Sequence, residues 1–257
     1  MIKILSTELF IYCLLNVNCK VIPMQNLRVA WPCALEELRK IQEYVAKKTK
    51  IQDDLNYPLK VVTGVDLAFS GEEAIAAAVS LDYSTLEKVE DKIIQERLLF
   101  PYIPTYLSFR EGAIAVRVVK SLQNPPDVLF LDSHGIAHPR FCGCATHVGV
   151  LLNIPTIGVA KRKLCGKVTK IPKEPGEWSY LKYKMRNVGA ILLSKDGSRP
   201  IYVSPGNRIT LITALEITKH FLRGYKLPEP IRQAHLLANK KLKTIQLKKP
   251  EDEKETR

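Results

Sequence analysis

The chain has 257 residues, 46% apolar and 25% charged, enough to bury a sizeable core and too apolar for a wholly disordered chain. Lys and Arg number 39 against 26 Asp and Glu, so the formal charge of +13 suits a polyanion, nucleic acid first among the candidates. Six cysteines without a C-x-x-C pair or a secretory pattern read as reduced thiols, which argues against a disulfide scaffold and for the cytoplasm.

The apolar patch from Leu9 to Val17 is shorter than the roughly 18 residues a membrane span needs. Glu8 before it and Asn18, Cys19 and Lys20 after it do not make a cleavable leader. Residues 1–23 therefore read as an extension outside the fold, with Met24 as a later start, no membrane association, and residues 24–242 as a single domain. Leu35, Leu38, Ile41 and Val45 recur at helical spacing and predict an amphipathic scaffold helix from Pro32 to Leu55.

Val61 to Phe69 predicts a strand whose apolar neighbours are interrupted by Asp66. Ala74 to Leu81 and Leu86 to Arg97 predict two more, joined by a turn at Asp82 to Ser84. Prolines bracket Tyr102 and Ile103 in the stretch Phe100 to Pro104, which blocks regular pairing and stiffens a loop. An exposed Tyr there suits a wedge between stacked bases; a tyrosine packed into a tight connection is the alternative. A helix follows from Ser108 to Leu122, with Ser108 and Glu111 in capping-box spacing. Glu111 has a second reading, as a carboxylate facing the strand ends.

Val128 to Leu131 is apolar at every position and delivers Asp132 into a turn containing Ser133 and Gly135. A carboxylate at the end of such a strand needs a metal, a cation or a helix N-terminus, although turn capping alone also accounts for it. Cys142, Cys144 and His147 have a zinc-like C-x-C-x-x-H spacing without an evident fourth ligand, so packing within a helix from Cys142 to Leu152 is preferred. Pro155 to Ala160 predicts a buried strand leading into Lys161.

Residues 161–186 carry nine Lys and Arg against Glu174 and Glu177, interleaved with Trp178, Tyr180 and Tyr183. This reads as a phosphate-contacting surface, with a solvated loop as the alternative. Val188 to Leu193 and Ile201 to Val203 predict a hairpin, Ile209 to Leu222 a helix, and Pro228 to Leu242 another helix, containing His235. The charged residues 243–257 are expected to be a disordered tail.

Two aspartates on apolar strands, a glutamate at a helix start and a nearby Lys suit one or two Mg²⁺ or Mn²⁺ ions, since hard oxygen donors favour these over zinc. On a basic protein such a cluster points to phosphodiester hydrolysis.

The stretches Pro101-Tyr-Ile-Pro104, Tyr106-Leu-Ser-Phe-Arg-Glu-Gly112, Asp132-Ser-His-Gly-Ile-Ala-His-Pro-Arg140 and Thr156-Ile-Gly-Val-Ala-Lys161 closely resemble the endonuclease V family. The resemblance implies an α/β, ribonuclease-H-like fold with a mixed sheet flanked by helices. It implies Mg²⁺-dependent nicking of DNA, with Mn²⁺ as substitute, at the second phosphodiester bond 3′ to deoxyinosine. Asp66, Glu111 and Asp132 match the family's metal-binding acids, and His138, Lys161 and His235 its other catalytic positions. Pro101, Tyr102, Ile103 and Pro104 match the strand-separating wedge, with Leu107, Gly135 and Arg140 as further substrate contacts. Thr105, Ser133 and Asn207 depart from the pattern, where Gly, Gly and His are frequent. A monomer is the working assumption. Inosine-containing RNA is the alternative substrate, and a non-catalytic binder of inosine or branched nucleic acid is a second alternative.

Overall fold

The run from Val61 opens on β-branched residues, Val61, Val62, Thr63 and Val65, and buries both of its faces from Val62 to Asp66. In the computed structural model, which describes residues 27–98 and 100–248, it forms β1 (Val61–Ser70). Gly71, at a φ of +59°, turns the chain back into β2 (Glu73–Asp82), and β3 (Lys88–Arg97) pairs antiparallel outside it. Short apolar strands β4 (Val128–Leu131) and β5 (Thr156–Ala160) then run parallel to β1.

The sheet is completed by β6 (Lys167–Val168), β7 (Trp178–Tyr183), β8 (Arg186–Leu192) and β9 (Ile201–Asn207), in the order β3-β2-β1-β4-β5-β9-β8-β7-β6. Around it lie α1 (Leu27–Lys48), α2 (Leu107–Lys120), α3 (Cys144–Leu152), α4 (Leu211–His220) and α5 (Glu229–Lys248). This is the expected α/β architecture, a mixed sheet flanked by helices.

Strand alternation divides the core. Val65, Leu129 and Leu131 face α2 and α3, whereas Val62, Val128 and Phe130 face α4 and α5. Gly64 lies on the α5 face, where a Cβ would stand 2.1 Å from the Pro230 carbonyl carbon. Its bare backbone lets the first turn of α5 rest directly on β1. No helix among the described residues is long and apolar enough to cross a membrane.

Four local expectations are corrected. The first helix runs from Leu27 to Lys48, ending seven residues before Leu55, with Leu38 and Val45 buried as the periodicity required. Ser108 is not a cap: α2 starts at Leu107, its N-cap Tyr106 makes no side-chain cap bond, and Ser108 is buried inside the first turn. The basic stretch is not one loop but contains β6 and β7. Trp178 and Tyr180 are half-buried, packing on the core from β7, and Tyr183, also half-buried, leans on Phe141. Finally, α5 continues to Lys248, because Ala238, Leu242 and Ile245 repeat at helical spacing against Ile75 and Ala77. The extension at 1–23 and the tail from 249 lie outside the described residues.

Candidate active site

The parallel strands β1, β4 and β5 are neighbours; β4 and β5 end close to the level of Asp66, midway along β1, and the crevice beyond such carboxyl ends is where an open α/β sheet offers a site. Val65 pairs with Leu131, so Asp66 and Asp132 occupy the next position on β1 and just after β4, and the Asp132 amide donates to the Val65 carbonyl at 3.2 Å. Lys161 follows the last residue of β5 and places Nζ 2.5 Å from Asp132 Oδ2. From α5, His235 Nδ1 lies 2.6 Å from Asp66 Oδ2 with its ring partly open to solvent.

Asp66, Asp132 and His235 each offer one ligand atom, all within 4.8 Å of one another, a group that could hold a metal ion. Burial pushes the Asp66 carboxyl above the ordinary carboxylate range, and repulsion from Asp132 pushes the same way. Two crowded acids with one Lys and one His beside them fit a hard divalent cation.

Glu111 comes from α2, on the opposite side of the sheet from α5, which explains why it stands apart from that group. It remains electrostatically joined to it: burial first, then the charges of Asp66 and Asp132, raise its carboxyl to about 8. The strand-and-helix context of the sequence pointed to Asp66, Asp132, Glu111 and Lys161, and the family resemblance alone to His235.

His138 and Arg140 do not join the carboxylates. His138 is buried, and its Nε2 meets the Thr105 carbonyl at 2.9 Å. The Arg140 guanidinium binds Thr105 and Gln42 and lies over the Tyr106 ring. Gly135 is buried too, with its amide donating to Ser204 Oγ, its carbonyl accepting from Gly143, and the Cβ direction closed by the Pro205 carbonyl at 2.1 Å. Packing against β9 therefore requires its glycine, and its backbone is not open to a base.

Pro101 and Ile103 are half-buried and Pro104 is exposed, while Tyr102 is 67% exposed at the loop's tip. Leu107 is half-buried against the α2 core. Of the three departures, Asn207 is buried and structural, donating to Gly149 O and accepting from the Lys50 amide. Ser133 is buried, with its hydroxyl facing the buried Cys144 thiol. Cys142 and Cys144 are buried thiols pushed upward by burial, and the His147 ring meets Phe109 edge-on at 5.4 Å, the packing expected of that cluster.

Sequence reasoning missed two residues. Gln42 is almost wholly buried, and its signal was a polar residue on the apolar stripe of α1 between Leu38 and Val45. His134 binds the Arg162 carbonyl at 2.9 Å, tying the Asp132 loop to the loop that carries Lys161.

The family model described as Endonuclease V matches residues 42–236. An endonuclease V from Roseiflexus sp. (strain RS-1) is 40% identical over 84% of this chain and 96% of its own length. Among solved structures, the endonuclease V from Streptomyces avermitilis superposes with a TM-score of 0.75 at 34% identity, covering 82% of this chain and 94% of that one. The Ciona intestinalis enzyme, in complex with a 24mer DNA containing an inosine followed by a ribo-adenosine, gives 0.74 at 29% identity, covering 83% and 99%. The shared architecture is ribonuclease-H-like.

Proposed function

Because the chain belongs to the endonuclease V family, and is thus a hydrolase of phosphodiester bonds, we propose that it nicks DNA at deoxyinosine, cutting the second phosphodiester bond on the 3′ side. The observation that carries this reading is the meeting of Asp66, Asp132, Lys161 and His235 at one sheet edge in a chain whose Tyr102 projects from a proline-bracketed loop. The inosine-containing DNA bound by the Ciona relative supports the substrate.

Asp66, Asp132 and Glu111, with His235 beside them, are the residues that would hold Mg²⁺, or Mn²⁺ in its place. When bound, the ion supplies the Lewis-acid chemistry of phosphodiester hydrolysis. The chain's own groups do the rest. Lys161 puts a positive charge where negative charge develops on the phosphoryl oxygens, and Asp132 fixes its position. His235, hydrogen-bonded to Asp66 and partly solvent-facing, is placed to hold the proton that the attacking water sheds as one P–O bond forms and the bond to the departing sugar oxygen breaks. Tyr102 fills the gap left when the altered base leaves the stack, which costs least for a poorly paired base. Cytoplasmic action on DNA is part of the same proposal.

The test is nicking of matched DNA and RNA strands, each with one inosine, with Mg²⁺ and with a chelator. Mg²⁺-dependent cutting of the DNA two bonds from the inosine is expected. Cutting confined to RNA moves the substrate to RNA, and equal cutting of inosine-free strands removes the reading.

A further inference from the structure

Thr105, the first residue after the wedge loop, has a φ of +71°, a conformation that a β-branched side chain rarely adopts. Three side chains from different parts of the chain converge on its carbonyl. Gln42 Nε2 donates at 2.8 Å, Arg140 Nη2 at 3.0 Å, and His138 Nε2 lies at 2.9 Å. The His138 tautomer follows from its other nitrogen, which accepts from the Arg140 amide at 3.2 Å, so Nε2 carries the proton and donates. Burial, with Arg140 nearby, keeps this imidazole neutral.

The donors are themselves braced. Gln42 Oε1 accepts from Arg140 Nε at 2.6 Å, and Arg140 Nη2 also donates to Thr105 Oγ1 at 2.6 Å. At the loop's other end Arg110 Nη1 donates to the Phe100 carbonyl at 2.5 Å, and inside it the Tyr106 amide closes a turn onto Ile103 O at 2.9 Å. A left-handed threonine persists only where its surroundings hold it, and here they hold the root of the wedge.

We propose that Gln42, with Arg140 and His138, is a positioning clamp that locks Thr105 in its left-handed conformation and so fixes the angle at which Tyr102 meets a duplex. The proposal rests on the inosine-nuclease reading. The three side chains are engaged with Thr105 and with one another, so their action on the loop passes through one peptide group. Released from the clamp, Thr105 relaxes to a negative φ, the peptide rotates and the loop swings. Separating paired strands needs a wedge of fixed direction, whereas an inosine in an unpaired strand does not.

The experiment compares kcat/KM on inosine in duplex DNA with that on the same strand unpaired, for the full chain, for Gln42→Met and for Thr105→Val. Gln42→Met removes all three bonds made by the amide, to the Thr105 carbonyl, to Arg140 Nε and, at 3.5 Å, to the Cys142 carbonyl. Thr105→Val keeps the side-chain shape and removes only the Oγ1 acceptor, so it carries the test where Gln42→Met fails to fold. Each variant is expected to lose about tenfold on the duplex, the effect of a buried hydrogen bond, and less than about twofold on the single strand. Equal losses on both substrates, as from a general weakening of the fold, overturn the clamp, and so does the absence of any loss. An unmodified chain that cuts neither substrate takes down the inosine reading and the clamp with it, a result distinct from a chain that cuts both while its variants keep the same ratio.

Discussion

His235 Nδ1 and Asp66 Oδ2 stand 2.6 Å apart although 169 residues separate them, because α5 lies on the strand that carries Asp66. Desolvation raises the Asp66 carboxyl and His235 offsets part of that cost, so removing the charge is tolerated by the fold better than by the chemistry. Asp66→Asn is expected to lower single-turnover nicking by roughly a thousandfold, with DNA binding in Ca²⁺ kept within a few fold. Undiminished nicking would show that Asp66 is not part of the metal site.

The same pair depends on Gly64, two residues before Asp66 on the same strand face. Adding a methyl there puts Cβ 2.1 Å from the Pro230 carbonyl carbon and 2.5 Å from the Ile231 nitrogen, backbone atoms that cannot rotate away. Gly64→Ala should lift α5 from β1, costing about 3 kcal/mol in urea unfolding, and the activity that survives should fall further than Asp66 alone would explain. A variant as stable as the parent would mean that α5 is not seated this way.

Asp66, Asp132 and Lys161 were legible in the sequence because a charge set within an apolar strand, or directly after one, advertises a partner. Which face each carboxylate takes was not legible, since it depends on strand register, and this is what sets Glu111 apart from His235. Ser108 misled because capping-box spacing says nothing of burial, which tertiary packing decided. The basic stretch hid β7 because its alternation is spoiled at the bulge between Leu181 and Lys182. Gln42 was passed over because a single amide in an amphipathic helix has meaning only through the loop it meets.

The hairpin of β7 and β8 carries Lys182, Lys184 and Arg186 exposed at its tip, with Lys184 and Arg186 both over Phe141, the residue after Arg140. This holds two of the three positive charges, Lys184 and Arg186, beside the site loop. Replacing all three by Gln should weaken DNA binding with nicking at saturating DNA little changed, and should flatten the dependence of log affinity on log salt by about 0.9 for each phosphate that is no longer neutralised. Fluorescence anisotropy over a salt series measures it; an unchanged slope would place the DNA elsewhere.

His147 is fully buried on α3 with both ring nitrogens unpaired, and burial lowers its pKa to about 4. In the unfolded chain the imidazole titrates near its ordinary value of about 6.5. As pH falls from about 6.5 towards 4 the unfolded state therefore binds the proton first, so stability is full above that window, declines through it and levels off below. At pH 5.5 the loss from this residue is about 1.4 kcal/mol. His138, held down to about 3, and His134, to about 4, add losses of the same sign. His147→Met leaves no hydrogen-bond partner behind, so it should unfold in urea close to the parent at pH 7.5 and be the more stable of the two at pH 5.5. Parallel declines for both proteins would mean that the buried imidazole already carries its proton in the folded state.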